Sequence, residues 1–349
     1  MQQRIFQKDP MILFNKDQLV RHGRGLVLRF QNSRKVLHTS VAGGGIRRDL
    51  EAIFNFDLKD ENGRCELREK TYKKELERIA VELGLDPRFS VGMTTAVTMD
   101  DVVVEQQESH GLSVAAVVTG GIERNGGYPG DRASYREEND SFLMLGGTIN
   151  TMVIIGADLP DGILCRAAVT ATEAKAAAIH ELRLPSAVSP EIATGSGTDG
   201  LAVVSDPASP LKRTDAGKHS LLGQLIGGVV RSATKKALLL HMESHDTDMT
   251  RMSNRLKRFG VCEESFFRFM EKNDKLERSE MIWAQAEAMP ELAVKASMVA
   301  AIMDDMRHGI FSEVYGMNQL KRQLFPDGKE NTFPNLWYEF LMRIGDIAE

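Results

Sequence analysis

Short apolar runs rich in β-branched residues recur through the first two thirds of the chain, each bounded by glycine or polar positions. Runs of this length and composition predict buried β-strands. One pair of runs is joined by a polar turn at 31–33 and is followed by the glycine loop 41–45. The predicted strands are 26–40 in two runs, 90–98, 112–119, 151–155 and 200–204.

Longer segments carry apolar residues at helical spacing. In 70–83, Leu76, Ile79 and Leu83 recur at three- and four-residue intervals, and Gly84 supplies a stop. An alanine-rich helix is predicted over 159–182, with a proline near its start and Pro185 beyond its end. A third helix is predicted over 218–241.

From residue 243 onward the composition becomes charged, methionine-rich and poor in glycine, which indicates several amphipathic helices with a polar break at 325–328. The expected fold class is α/β, a mixed β-sheet core with flanking helices, plus an α-helical C-terminal extension. We predict two domains, 1–242 and 243–349.

Composition and charge argue against several classes of function. A formal net charge of -5 disfavours a general nucleic-acid binder, and no apolar run approaches the ~20 residues that cross a bilayer. The N-terminus lacks the apolar stretch of a signal peptide, so a cytoplasmic protein is expected. The cysteines are odd in number and scattered, which predicts reduced thiols rather than a disulfide framework.

The stretch 195–200, GSGTDG, satisfies the G-x-G-x-x-G pattern of dinucleotide-binding loops. That fingerprint needs a strand before it and a helix after it, whereas here a helix and a loop precede it and a predicted strand follows. The loop instead offers the hydroxyls of Thr194, Ser196 and Thr198 and the carboxylate of Asp199, which could hold a polarised carbonyl. The alternative is a tight turn in which these groups cap backbone atoms.

Two helical positions carry further candidate groups. Glu173 lies among small residues, so it could act as an acid or base or could be an ordinary solvated helix residue. Lys218 and His219 open the next helix, where they could contact a ligand and shuttle protons, or where Ser220 could simply cap the helix locally.

Familiar catalytic signatures are missing from the sequence. His241 and His245 lie four apart, yet their H-x-E-x-H pattern differs from those of zinc peptidases, so a solvated helix end is the favoured interpretation. There is also no G-x-S-x-G nucleophile motif.

Read in order, a series of motifs resembles the adenosylcobinamide amidohydrolases over roughly residues 20 to 240. The order of the motifs is more specific than any single one. The chain departs from the family pattern in 120–131, where a shorter loop is expected around Asn125. The motifs are SVAGGG (40–45), VGMTTAVTMDDV (91–102), AAVVTGGI (115–122), GGTINTMVII (146–155), AAVTATEAKAAAIHEL (167–182), ATGSGTDGLAVV (193–204) and AGKHSLLGQLIG (216–227).

The resemblance implies cleavage of the amide between aminopropanol and the corrin ring, turning adenosylcobinamide into adenosylcobyric acid in corrinoid salvage. Water activation is expected from Asp199 or Glu173 and protonation of the leaving amine from His219 or Lys218, with a covalent route through Ser40, Thr94 or Thr95 left open. The expected catalytic residues are Asp199, Glu173 and His219. The expected substrate-binding residues are Ser40, Gly44, Thr94, Thr95, Thr119, Thr148, Asn150, Thr172, Thr194, Thr198 and Lys218.

A large flat ring system should require a wide cleft with apolar walls and many hydrogen-bonding groups. No protein-bound cofactor is expected, because cobalt enters with the corrinoid substrate. No metal-ligating residues are assigned, and the sequence leaves metal dependence open. The expected partner is that small molecule, with no nucleic acid and no membrane, and the C-terminal helices could form a homo-oligomer. Two alternatives remain: a non-catalytic corrinoid-binding or regulatory module, and an amidase for a different substrate.

Overall fold

In the computed structural model the chain forms two compact units, described here for residues 10–342 except 61, 63, 66, 123, 134–146, 245–247, 274–275 and 325–334. The first unit contains Met1–Val188 and Ile192–Ser244, and the second contains Ser189–Glu191 and His245–Glu349. The predicted boundary at residue 243 stays a prediction, because compactness alone does not show that either part folds by itself.

The first sheet of the first unit has five strands in the order β1-β2-β3-β6-β7. Its strands pair antiparallel except for β6 and β7, which run parallel. Every residue of β6 is buried, as expected for a central strand covered on both faces. The strands are β1 Met11–Ile12, β2 Gln18–His22, β3 Gly25–Arg29, β6 Ala52–Asp57 and β7 Ser90–Thr95.

The second sheet has six strands in the order β5-β4-β13-β11-β9-β8. Only β11 and β13 pair in parallel, and the intervening helix forms the crossover that such a connection requires. A separate two-stranded ribbon pairs β10, Gly126–Gly127, with β12, Gly195–Ser196. The strands of the six-stranded sheet are β4 Lys35–His38, β5 Gly45–Arg47, β8 Val103–Ser109, β9 Leu112–Gly121, β11 Thr148–Ile155 and β13 Gly200–Ser205.

The two sheets pack face to face, and one apolar cluster draws alternate residues from both. It includes Leu28 and Ile53 of the first sheet and Val117, Met152 and Val204 of the second. Because side chains alternate across a strand, the opposite faces need their own covers. This requirement places helices on the outside of both sheets.

Helix α1, Tyr72–Glu82, covers the outer face of the first sheet through Leu76 and Ile79, which pack with Phe54 and Phe56. Helices α2, Asp161–Leu182, and α3, Leu221–Ser244, pack on each other and on the outer face of the second sheet. The layer order is therefore helix, sheet, sheet, helices. The predicted fold class, mixed sheets with flanking helices and C-terminal helices, is confirmed.

The polar turn at 31–33 does more than join two neighbouring strands. Strand β3 pairs with β2 and β6, whereas β4 pairs with β5 and β13, so the turn carries the chain from one sheet to the other. The sequence prediction also missed β2, β6 and β8. Strand β8 reads Val-Val-Glu-Gln-Gln-Glu-Ser, and only its pairing with the buried strand β9 reveals it as an edge strand.

The second unit is helical among its described residues. Its core is aromatic: Phe266 and Trp337 stack with ring centroids 4.3 Å apart, and Phe340 packs edge-on against both. The predicted break at 325–328 lies outside the described residues. The helices are α4 Met252–Leu256, α5 Glu263–Lys272, α6 Ser279–Glu287, α7 Pro290–Arg307, α8 Glu313–Leu324 and α9 Asn335–Met342.

Among the described helices, none is both long enough and apolar enough to cross a membrane.

Candidate active site

Strand ends carrying polar residues meet at one end of the two sheets, which we call the polar end. Strand β9 finishes where β11 starts, since Gly121 pairs with Thr148, and Asn150 of β11 pairs with Gly200 at the start of β13. Strand β4 also finishes beside the start of β13. The carboxyl ends of β6 and β7 lie at the same end, as the contacts below show.

An amide chain crosses between the sheets at the polar end. The Asn150 Nδ2 donates to Asn55 Oδ1 at 2.7 Å and to the Thr94 carbonyl at 2.9 Å. The Asn55 Nδ2 in turn donates to Thr119 Oγ1 at 2.8 Å. Asn150 Oδ1 is buried without a partner among the described residues. An unpaired buried acceptor is costly, so this oxygen marks a polar point between the sheets that is closed to solvent.

Thr119→Val tests whether this chain stabilises the fold. Valine keeps the side-chain shape but removes the acceptor of Asn55, so the buried amide loses a partner. We expect the free energy of unfolding to fall by about 1–3 kcal/mol, measured by urea denaturation. Thr172→Val, at an exposed position of α2, is the matched control. Equal stability of both variants would contradict a structural role for the amide chain.

The loop before β13 is organised by Asp199. Its Oδ1 accepts hydrogen bonds from the Ile149 N–H at 3.0 Å and the Ser196 hydroxyl at 2.7 Å, and its Oδ2 forms an ion pair with Lys175 of α2. The side chains of Asp199 and Lys175 are 17% and 14% exposed. A Cβ on Gly195 would lie 2.6 Å from Lys175 Nζ, so a larger residue there would displace the end of the lysine side chain.

Hydroxyl and amide groups around Gly147 tie the loop to the start of β11. The Thr148 hydroxyl donates to the Thr198 carbonyl at 2.7 Å, and the Thr198 hydroxyl donates to the Gly147 carbonyl at 3.0 Å. Asn125 Nδ2 donates to the same carbonyl, and the Thr194 N–H donates to the Gly127 carbonyl at 2.9 Å. Asn125, on which the sequence departed from the family pattern, therefore lies inside this loop network.

Glu173, Lys218 and His219 form a separate surface group. Glu173 pairs with Lys218 at 2.9 Å, with the two side chains 47% and 67% exposed, and His219 is exposed beside them. The exposed Thr172 hydroxyl donates to the Ala168 carbonyl of its own helix. Among the described residues no hydrogen bond or ion pair joins Glu173 to Asp199. Asp199 is therefore not bonded directly to the exposed Glu173–Lys218 pair.

The remaining predicted residues have local partners. The Thr95 hydroxyl accepts from the Val97 N–H at 3.0 Å, and the Thr94 hydroxyl contacts the Tyr72 hydroxyl at 2.8 Å, toward α1. Ser40 Oγ accepts from the Ala42 N–H at 3.3 Å. A Cβ on Gly44 would collide with the backbone of Ser40, so the glycine is needed for this tight turn.

His38 ends β4 just before Ser40. Its Nδ1 accepts the Ser40 N–H at 2.9 Å, so the neutral ring carries its proton on Nε2, and that buried nitrogen has no partner among the described residues. Burial lowers the pKa of His38 to about 4. His38 therefore stays neutral at neutral pH, and sequence analysis did not single it out.

Acid should destabilise the fold through His38. Between pH 6.5 and 4 the imidazole of His38 is protonated in the unfolded chain but not in the folded chain. The free energy of unfolding therefore falls as pH falls. We expect a loss of up to ~3 kcal/mol across that window relative to His38→Gln, measured by denaturation at each pH. Parallel pH profiles for the two proteins would contradict the neutral buried imidazole.

A cavity of about 780 Å³ opens on the first-sheet side of the polar end, beside the carboxyl end of β6. Its size falls within the usual range for small-molecule sites. Most of its lining is charged, whereas apolar walls are expected for a corrinoid cleft. The lining residues are Arg24, Asp57, Lys59, Asp60, Asn62, Arg68 and Thr98.

In the part of the chain that the structure describes, no cluster of three or more histidine, cysteine or acidic side chains could hold a metal ion. His245 of the H-x-E-x-H pattern lies outside the described residues.

The fold and the polar end define a mixed α/β protein with a polar site, rich in amides and hydroxyls, where its two sheets end. A family model described as adenosylcobinamide amidohydrolase, CbiZ, matches residues 12–246. The chain belongs to this family.

Two further similarities are more distant. An uncharacterized protein of Methanocaldococcus jannaschii is 29% identical over 241 residues, which span 64% of this chain and 89% of the relative. A crystal structure of a protein from Pyrococcus horikoshii OT3 is 12% identical, with a TM-score of 0.32, and the match covers 67% of this chain and 82% of that one.

Proposed function

We propose that the protein hydrolyses the aminopropanol amide of adenosylcobinamide to give adenosylcobyric acid and aminopropanol in corrinoid salvage. The observation that carries this proposal is the family match over residues 12–246, which spans the whole polar end. The polar end supports it chemically, because buried amides and hydroxyls there suit a substrate whose rim carries many amide groups. Cobalt belongs to the substrate in this proposal.

Within this function the Lys175–Asp199 ion pair is proposed to fix the loop that bears Ser196 and Thr198. Ser196 is half-buried and Thr198 is exposed, so their hydroxyls are accessible to a ligand at the polar end. Asn150 is proposed to position the polar end through its bonds to Asn55 and to the Thr94 carbonyl, because its own Oδ1 is closed to solvent. A covalent route now has Ser196 as an additional candidate, because its hydroxyl donates to Asp199.

The roles predicted for Glu173, Lys218 and His219 remain proposals. They would place the hydrolysis at a second site on the protein. These residues would need substrate to contact the surface of α2 and α3 rather than the polar end. The surface is exposed and its ion pair is open to solvent, which favours the polar end as the place of chemistry.

Incubating the full chain with adenosylcobinamide tests the proposed function. Mass spectrometry should detect adenosylcobyric acid and aminopropanol in equal amounts, with the rate proportional to enzyme. Binding of adenosylcobinamide without product would instead favour a corrinoid-binding module. Hydrolysis of other amides with adenosylcobinamide left intact would favour an amidase of different specificity.

A further inference from the structure

Asp57 is the last residue of β6, and it lines the 780 Å³ cavity. It lies two residues beyond Asn55, so the two side chains share the strand face that looks toward the second sheet. Asp57 is only 7% exposed. The carboxyl group is thus held by a fully buried strand, the rigid kind of support that a reacting group needs.

The hydrogen bonds of Asp57 leave one carboxylate oxygen available. Oδ1 accepts the Lys59 N–H at 2.9 Å. Among the described residues Oδ2 accepts no hydrogen bond, neither oxygen has an ion-pair partner within 4.0 Å, and Oδ2 is not sealed from the cavity. Asp199 differs, since both of its oxygens are already occupied by donors.

The surroundings favour proton exchange at Asp57. Burial raises its pKa above the ordinary value, while the charges of Lys59, Arg24 and Arg21 act in the opposite direction and do not cancel the effect. The neighbouring titratable group is the Cys65 thiol, whose pKa is raised by its own burial and by Asp57. Asp60 and Arg68 are the other charged residues of the lining. A carboxyl group titrating closer to neutrality can accept a proton and return it.

We infer that Asp57 is the general base, and then the general acid, of the amide hydrolysis, an inference that rests on the proposed function. Its free oxygen takes a proton from water as the water oxygen bonds to the amide carbonyl carbon. When the carbon–nitrogen bond breaks, the protonated Asp57 gives that proton to the departing amine. A carboxylic acid and a free amine result, and Asp57 is again a carboxylate.

Arg24 and Lys59 complete this assignment. Both line the cavity beside Asp57, so their positive charges stabilise the oxyanion that develops on the carbonyl oxygen during attack. Asp57 takes the water-activating role that the sequence suggested for Asp199 or Glu173. Asp199 then acts by positioning the Ser196 and Thr198 loop.

Asp57→Asn tests the inference in the full chain. The asparagine Oδ1 can still accept the Lys59 N–H, so the turn is retained while the base is lost. We expect kcat to fall at least ~10²-fold with little change in the Kd for adenosylcobinamide. Stability at neutral pH should be unchanged or higher, because a neutral amide avoids burying a charge. Asp86→Asn, in a turn outside the cavity lining, is the matched control.

The outcomes separate the inference from the proposed function. If the wild-type protein hydrolyses adenosylcobinamide and Asp57→Asn does so at nearly the same rate, the inference about Asp57 is wrong. The proposed function would still stand. A wild-type protein that leaves adenosylcobinamide intact would overturn both. If Asp57→Asn does not fold, the pH profile of wild-type kcat/KM decides: an acidic limb above the ordinary aspartate pKa of ~3.9 supports Asp57, and a flat profile there rejects it.

Discussion

Asp199→Asn is expected to lower kcat/KM for adenosylcobinamide at least ~10²-fold, because small displacements of positioning groups cost that much in rate. Asparagine can keep the bonds from Ile149 and Ser196, but it turns a neutral amide toward the ammonium of Lys175 in place of a carboxylate. The half-buried lysine loses its counter-charge, and the loop that bears Thr198 loses its link to α2.

Steady-state kinetics with unfolding measurements on the same preparations would check this result. The acidic limb of the pH profile should persist in Asp199→Asn, since Asp57 would set it. Asp215→Asn is the control, because Asp215 is exposed and pairs with Arg166 at the surface. A rate equal to wild type would remove the Lys175–Asp199 pair from the mechanism.

Glu173→Gln in the same assay tests the surface group. A loss of turnover as large as that of Asp199→Asn would move the active site to the surface of α2 and α3. Wild-type turnover would leave the polar end as the site.

The largest effect on stability is expected from Arg34→Met. Arg34 is 1% exposed and Asp17 is fully buried. The Arg34 Nε and Nη2 donate hydrogen bonds to the two carboxylate oxygens of Asp17, and Nη1 donates to Asp206 at 2.9 Å. Removing the guanidinium leaves the Asp17 carboxylate buried without its cation. We expect the free energy of unfolding to fall by about 3–5 kcal/mol, the usual cost of breaking a buried pair on one side.

Denaturation in urea would measure this loss. Arg88→Met is the matched control, because Arg88 is exposed and its ion pair with Asp86 and its contact with the Phe89 ring lie within its own turn, so its removal should change little. Adding Asp17→Asn to Arg34→Met should recover part of the stability by neutralising the stranded charge. A single variant as stable as wild type would show that the buried pair contributes nothing net.

Some features follow from local sequence alone. The alanine-rich spacing of 159–182 predicted α2, and the apolar spacing ended by Gly84 predicted α1, because helical periodicity is a local property. The order of glycine-flanked motifs was specific enough to indicate the family that the comparison confirmed.

Other features depend on contacts between distant parts of the chain. Glu173 and Lys175 lie two residues apart on α2, yet one pairs with Lys218 at the surface and the other with Asp199 in the loop. A motif cannot reveal this, because residues two apart on a helix point in different directions and only packing decides which direction is buried. Lys175 was therefore missed although its motif was noticed.

The sequence by itself determined the fold class, the main helices and the family. The tertiary structure decided that two sheets rather than one form the core, that Asn55 joins Asn150, and that Asp57 faces a cavity. In the sequence, strand β6 is an ordinary apolar segment. The Asp57 carboxylate at its end becomes a candidate catalytic group only because the strand is buried beside β7 and next to the cavity. Burial and cavity shape arise from residues far apart in the chain, whereas local propensity is set by neighbours within a few positions.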